Sequence, residues 1–354
     1  MEYTSCSFLN GGICFVEDRI MFCCKGNSAK DKAQPILVRN FHGGSVDWEE
    51  IFQERNRAYE LLRNGSCPEY CAGCIDLKKQ RWFERDHWFD YILFSTWTAC
   101  NCACLYCNCN IKPGKYLIKD INKYAKEQLE QEKANSFDLR PTVYDLISNG
   151  YISKHTTIDF AGGEPTIYPY FDDIVKMLLE AGIRKMVIHT NGIKFSKVVE
   201  TAIKKGVMEV VVSPDSGSKE CYEKIKRVSA YNQVWANIKK YAKAKKPYST
   251  NGIALKYVIM PGINDTKEEL SLWIKKGLDA GINTFILNGD DNFFSKPKSE
   301  RNHDVLKRIV DLADYFQEYM QDNCCQYILY TNCVMVYEEL GIEEYLADNH
   351  RRMY

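Results

Sequence analysis

Between about residue 90 and residue 290, apolar runs of strand length alternate with stretches of helical spacing, and this alternation limits the fold more than any other property of the chain. The runs are "YILFSTW" (91–97), "TTIDFAGG" (156–163), "KMVIHTNG" (185–192), "VMEVVVSPDSG" (207–217), "IALKYVIMPG" (253–262) and "TFILNG" (284–289). Between them lie a polar helical region around 113–149, "FDDIVKMLLEAG" with Gly182 as C-terminal cap, and a short helix near 195–205. A longer helix is expected from Ser218 to Lys243, followed by "TKEELSLWIKKGLDAG", in which Thr266 and Glu269 form a capping box and Gly281 ends the helix. Strands joined through helices pair in parallel, so the expectation is an α/β fold, either doubly wound or curled into a partial barrel. In both arrangements active sites collect at the carboxyl ends of the strands. Those ends carry Cys100–Cys107, Gly162–Glu164, Thr190–Gly192, Ser213–Asp215, Pro261–Gly262 and Asn288–Asp290, a run of glycines and polar groups at one rim.

The 16 cysteines of the 354 residues are clustered: seven fall within residues 1–74 and five within 100–109. The N-terminus lacks the basic start and apolar core of a signal peptide, and no apolar run approaches the ~18–20 residues that span a bilayer. A cytoplasmic location follows as an expectation, and there clustered thiols read as metal ligands, not as a disulfide framework. Lys plus Arg equals Asp plus Glu at 47 each, which argues against nucleic acid or an anionic membrane as partner. Two triads share the spacing C-x3-C-x2-C: Cys67, Cys71, Cys74, and Cys100, Cys104, Cys107. Three thiolates so spaced can hold three irons of a [4Fe–4S] cluster and leave the fourth open for a ligand. By residues alone, Cys102 and Cys109 leave other ligand sets open in the second triad.

The second triad follows the first strand, has Tyr106 before its last cysteine, and is followed at the next strand's end by Gly162, Gly163, Glu164 and Pro165. With Ser213 and Asp215 after the fourth strand and "KYVIMPGIND" on the fifth, this region resembles the radical S-adenosylmethionine (SAM) enzymes over about residues 90–290. The resemblance implies a partial (β/α)6 barrel and a SAM-binding [4Fe–4S] cluster on Cys100, Cys104 and Cys107. It leaves Cys102 and Cys109 outside the ligand set. Glu164 and the backbone of Gly162 and Gly163 would receive the methionine amino group. Ser213 and Asp215 would bind the ribose hydroxyls or the methionine carboxylate, and the backbone around Tyr106 and Asn288 would flank the adenine. One electron then cleaves SAM to methionine and a 5′-deoxyadenosyl radical, which abstracts hydrogen from substrate. A reducing protein such as flavodoxin or ferredoxin is the implied electron source.

The expected domains are a small Cys-rich N-terminal domain (1–88), the barrel (89–290) and a mainly helical C-terminal extension (291–354). In the first, "GICFVEDRIMFCC" (12–24) reads as a hairpin and residues 47–65 as an amphipathic helix; in the last, "HDVLKRIVDLADYFQEYMQD" is helical and "YILYTNCVMVY" adds a strand. The first triad has no strand before it and Gly73 in place of the aromatic, which favours a closed auxiliary site. The cysteine-flanked hairpin resembles the SPASM and twitch extensions of radical SAM enzymes, although those follow the barrel. That resemblance implies an auxiliary [4Fe–4S] cluster, with Cys6, Cys24, Cys71 and Cys74 as first choice of ligands, Cys67 next and Cys23 as alternate. A structural zinc on the same thiols is the competing reading. For Ser213 and Asp215 the competing reading is a helix cap, and Cys221, Cys324, Cys325 and Cys333 read as buried thiols. No residue is assigned as the catalyst. The resemblance favours a peptide or protein side chain as substrate, with a sugar or alcohol as the small-molecule alternative, and a non-enzymatic zinc or electron-transfer protein as the alternative of another class.

Overall fold

The computed structural model describes residues 2–23, 36–74, 76–84, 87–107, 117–132, 138–246 and 252–342. By internal contacts the chain divides into two compact units, residues 1–99 with 129–188 and residues 100–128 with 189–354.

The first unit opens with β1 (Glu2–Ser5) and α1 (Ser7–Gly11). The hairpin expected over 12–24 is β2 (Gly12–Val16) and β3 (Arg19–Met21), and β3 pairs antiparallel with β4 (Ile36–Val38). Helix α2 (Trp48–Arg63) starts where the Asp47 carboxylate accepts the Glu50 N–H, and the chain leaves it through Gly65 at φ +75°. β5 (Lys78–Arg81) pairs antiparallel with β1. β6 (Tyr91–Ser95) is then flanked by parallel strands on both sides, β2 on one and β7 (Thr157–Phe160) on the other. The parallel array therefore starts one strand earlier than the alternation predicts, because β2 of the N-terminal hairpin joins it. Register explains the fit: Phe15, Phe94 and Phe160 stand opposite one another and stack at 5.2 and 5.8 Å between ring centroids. Behind them Arg55 of α2 is fully buried. It donates to the Gly12 and Trp88 carbonyls and lies 4.7 Å from the Phe89 ring centre, so it ties α2 to both β2 and the segment entering β6.

The polar region expected around 113–149 is divided between α3 (Ile121–Glu132) and α4 (Arg140–Ser148), with 133–137 outside the described residues. Helix α5 (Phe171–Glu180) and β8 (Lys185–Thr190), parallel to β7, complete this part of the chain.

In the second unit α6 (Lys197–Lys205) ends at Gly206, φ +75°, and leads to β9 (Met208–Val212). The single long helix expected from Ser218 to Lys243 is two helices, α7 (Lys219–Lys226) and α8 (Tyr231–Ala244). The break falls at Arg227, whose φ of +61° is a left-handed conformation that a helix interior does not admit. β10 (Ile253–Ile259), α9 (Lys267–Asp279), β11 (Thr284–Gly289), α10 (Asp291–Phe294), α11 (His303–Asp322), β12 (Gln326–Leu329) and α12 (Thr331–Glu339) follow. β9, β10, β11 and β12 are parallel neighbours in that order. The tail "YILYTNCVMVY" thus has three residues in a strand and seven in a helix, and its strand extends the parallel sheet beyond the six expected. The molecule has the α/β fold of mostly parallel strands with helical crossovers, and among the described residues no helix is long and apolar enough to cross a membrane.

Candidate active site

In the first unit, the end of β7 lies against the segment that leads from β6 to the second cysteine triad. The Gly163 N–H donates to the Trp97 carbonyl at 2.7 Å and the Glu164 N–H to that of Ala99 at 2.9 Å, directly before Cys100. Gly162 has φ +101°, and a Cβ on Gly163 would collide with the carbonyl oxygens of Thr98 and Ala99. These glycines are needed because two backbones meet there. Gly163→Ala is therefore expected to lower stability by about 1–3 kcal/mol in a denaturant melt. Glu164 is fully buried; one oxygen accepts from the Thr166 hydroxyl at 2.6 Å and from its N–H at 3.2 Å, capping the turn that follows.

In the second unit, the cysteine loop is fixed from several sides. The Ala103 and Leu105 N–H groups donate to the Lys226 and Ile225 carbonyls at 3.1 and 3.0 Å, so the backbone on either side of Cys104 is held by the last turn of α7. Those carbonyls have no partner inside a helix that ends there, which is the physical reason for the break at Arg227. Ile118 and Val228 form a parallel bridge beside the same junction. Leu105 and Tyr106 pack on Cys221, Ile225 and Met260. Asn191, at the end of β8, donates through Nδ2 to the Asn101 carbonyl oxygen at 2.7 Å and to the Cys100 sulfur at 3.5 Å.

Beneath the loop, the Tyr106 hydroxyl donates to the Asp215 carboxylate at 2.5 Å and accepts from the Lys226 ammonium at 2.6 Å. Lys226 also pairs directly with Asp215, both side chains being buried. Burial alone would discharge Lys226, but the Asp215 carboxylate, and after it the lowered Cys104, raise its pKa and hold it charged. The other Asp215 oxygen accepts the Val258 N–H of β10 at 2.9 Å, and Asp215 itself takes a left-handed φ of +55°. Cys102 is almost fully buried. Its thiol is pushed well up by the neighbouring Cys100 and Cys104 sulfurs and by burial, and its N–H donates to the Cys100 sulfur at 3.4 Å. Accepting from Cys102, and then facing Lys226, lowers Cys104 against the opposing effect of burial.

The remaining expected residues are placed as follows. Ser213 is half-buried; its N–H donates to the Thr190 carbonyl, and its hydroxyl has no partner among the described residues. The cap of α7 is Ser218, not Ser213 or Asp215. Asn288 is buried at the end of β11, and its Oδ1 has no partner among the described residues. Of the four thiols expected to be buried, Cys221 and Cys333 are, Cys325 is half-buried and Cys324 is exposed, because it occupies a left-handed turn after α11. Cys109 and Cys24 lie outside the described residues. Sequence reasoning missed Lys226 and gave Asn101 no role; it placed Asn191 at a strand end of the rim but not beside the cysteine loop.

The N-terminal thiols also form a group. β1 and β5 pair so that Ser5 faces Lys78, which sets Cys6 beside the loop that carries the first triad. That loop is a series of turns, with the Cys71 N–H donating to Pro68, Cys74 to Cys71 and Leu77 to Cys74. The Cys71 thiol is pushed up to about 12, first by burial and then by Cys6, Cys67, Cys74 and Cys23 around it. Among the described residues no three ligating side chains surround a point that one ion would fill, the arrangement a single zinc needs.

The family model described as the radical SAM superfamily matches residues 94–274, more than half of the chain. The chain belongs to the radical SAM superfamily. Radical SAM enzymes use a [4Fe–4S] cluster and SAM, and these are the cofactors of this chain. The GTP 3′,8-cyclase of Haemophilus influenzae (strain PittEE) is 26% identical over 196 residues, covering 54% of this chain and 51% of that protein. That of Thermodesulfovibrio yellowstonii is 26% identical over 189 residues, 53% of each. The match thus spans about half the length of these curated relatives. The crystal structure of Streptococcus suis SuiB aligns with a TM-score of 0.50 at 14% identity, over 86% of this chain and 59% of that one, and so shares the fold.

Proposed function

We propose that this radical SAM enzyme binds its SAM-cleaving cluster through Cys100, Cys104 and Cys107 and abstracts a hydrogen atom from an organic substrate. The observation that carries the reading is the cysteine loop itself, pinned at Ala103, Leu105 and Tyr106 to α7 and Asp215. When bound, the cluster supplies the electron that splits SAM into methionine and the 5′-deoxyadenosyl radical. The chain's own residues do the rest. Glu164 and the Gly162–Gly163 backbone receive the methionine amino group in a charge-assisted hydrogen bond. The Ser213 hydroxyl binds a ribose hydroxyl, and the backbone at Tyr106 and Asn288 flanks the adenine. Asp215, whose oxygens accept from Tyr106 and from the Val258 N–H, holds the loop in place and keeps acceptor capacity for a ribose hydroxyl beside Ser213.

Cys6, Cys24, Cys71 and Cys74 hold an auxiliary [4Fe–4S] cluster, with Cys67 next in line and Cys23 as the alternate ligand. A cluster there suits a substrate that must lose an electron after hydrogen abstraction, such as a peptide side chain. A small-molecule substrate is the second reading, favoured by the relatives named as GTP 3′,8-cyclases. A protein such as flavodoxin or ferredoxin supplies the electron. Anaerobic reconstitution with iron and sulfide, then dithionite and SAM, tests the proposal. It predicts SAM-dependent 5′-deoxyadenosine, and zinc-loaded protein that forms none would refute it.

A further inference from the structure

The two faces of β10 carry different chemistry. On one face Trp273 of α9 packs on Tyr257 and, from β11, on Phe285, at 5.1 and 5.3 Å between ring centres. Residues of the opposite parity, Lys256 and Val258, turn to the other face, in register with Ile286 and Asn288 of β11. Met260, next in that alternation, packs on Leu105 and Tyr106, so this is the face that carries the cysteine loop. Six of the seven residues of β10 are buried; Lys256 alone retains exposure. A strand in the middle of a parallel sheet is ordinarily apolar on both faces, and an amine there is costly unless it meets a charge.

Lys256 meets none. Among the described residues it has no ion-pair or hydrogen-bond partner, and its Nζ lies 5.0 Å from the centre of the Tyr330 ring. The titratable groups that face it make no ion pair with it: Asp215 is paired with Lys226, which adds a like charge, Asp291 accepts from the Asn332 amide at 3.1 Å, and Cys333 is a buried thiol. Burial lowers the Lys256 pKa, the direction expected for an ammonium that lacks a compensating anion. A methionine would fill the same space at no electrostatic cost.

We propose that Lys256 anchors an anionic group of the substrate, a carboxylate or a phosphate, on the face of the sheet that carries the cysteine loop. From Lys256 to Met260 the strand advances about 13 Å, so an anchored substrate can extend from the lysine toward the loop. The inference rests on the radical SAM reading for its reaction, and on Lys256 for its substrate.

The test uses anaerobically reconstituted protein loaded with SAM and titrated calorimetrically with inorganic phosphate and, separately, with succinate. Wild type is expected to bind one of them, and the preferred ion tells a phosphorylated small molecule from a carboxylate. Lys256→Met should weaken that binding at least about tenfold, the loss of one charge-assisted contact, whereas Lys256→Arg stays within about threefold. The change that SAM causes in the electron paramagnetic resonance (EPR) spectrum should be the same in all three, which separates failure of the anion site from failure of the SAM site. In wild type, the bound ion should also slow acylation of Lys256 by acetic anhydride, read by mass spectrometry, so the answer does not depend on a variant folding. Equal affinity in wild type and Lys256→Met, unprotected Lys256, or no binding of either ion would overturn the proposal.

Discussion

Lys226→Met is expected to destabilise the protein by about 3–5 kcal/mol, because it leaves the Asp215 carboxylate buried without its counter-charge. A denaturant melt reads that loss. The same substitution removes the donor to the Tyr106 hydroxyl and so frees one side of the cysteine loop; iron content and 5′-deoxyadenosine formation should both fall. The double variant Lys226→Met/Asp215→Leu separates the two effects. With no stranded charge, part of the stability should return, the remainder being lost because the Val258 N–H has no acceptor and leucine is strained at the left-handed φ of position 215. SAM cleavage should stay depressed, because Tyr106 has lost both of its polar partners. Wild-type stability in Lys226→Met, or full SAM cleavage in the double variant, would show that the trio does not position the loop.

The two cysteine triads should respond differently to loss of one thiol. Cys104→Ala removes the central ligand of the loop and should abolish SAM cleavage, with the loss of one cluster's worth of iron. Cys71→Ala should lose a comparable amount of iron yet still form 5′-deoxyadenosine without product, since Cys71 lies in the separate group with Cys6, Cys67 and Cys74. Iron analysis beside chromatography of 5′-deoxyadenosine reads both outcomes. Equal and total loss from both variants, in folded protein, would contradict a division of labour between the triads.

What was legible in the sequence was local. The C-x3-C-x2-C spacing, the glycine pair before Glu164, the 12–24 hairpin and the capped helices are set by neighbours a few residues apart. What escaped notice depends on contacts far apart in the chain. Lys226 reads as one more solvent lysine on an amphipathic helix, yet its partner Tyr106 is 120 positions away. The break at Arg227 follows from carbonyls recruited by Ala103 and Leu105, and no helix propensity records that demand. Glu269 looks like half of a capping box, and Thr266 does cap α9, but the glutamate carboxylate instead accepts from the Gly217 and Ser218 N–H groups at 2.7 and 2.8 Å. The glycines at 162 and 163 were recognisable as a motif, while their physical task, letting two backbones touch, needed the fold.

The most direct test of the central claim is the EPR spectrum of the dithionite-reduced, reconstituted protein with and without SAM, in wild type and in Cys104→Ala. A cluster on Cys100, Cys104 and Cys107 that binds SAM predicts a wild-type signal whose shape changes on adding SAM, and no SAM-responsive signal in Cys104→Ala. A wild-type spectrum indifferent to SAM, or a SAM response that survives in Cys104→Ala, would contradict it.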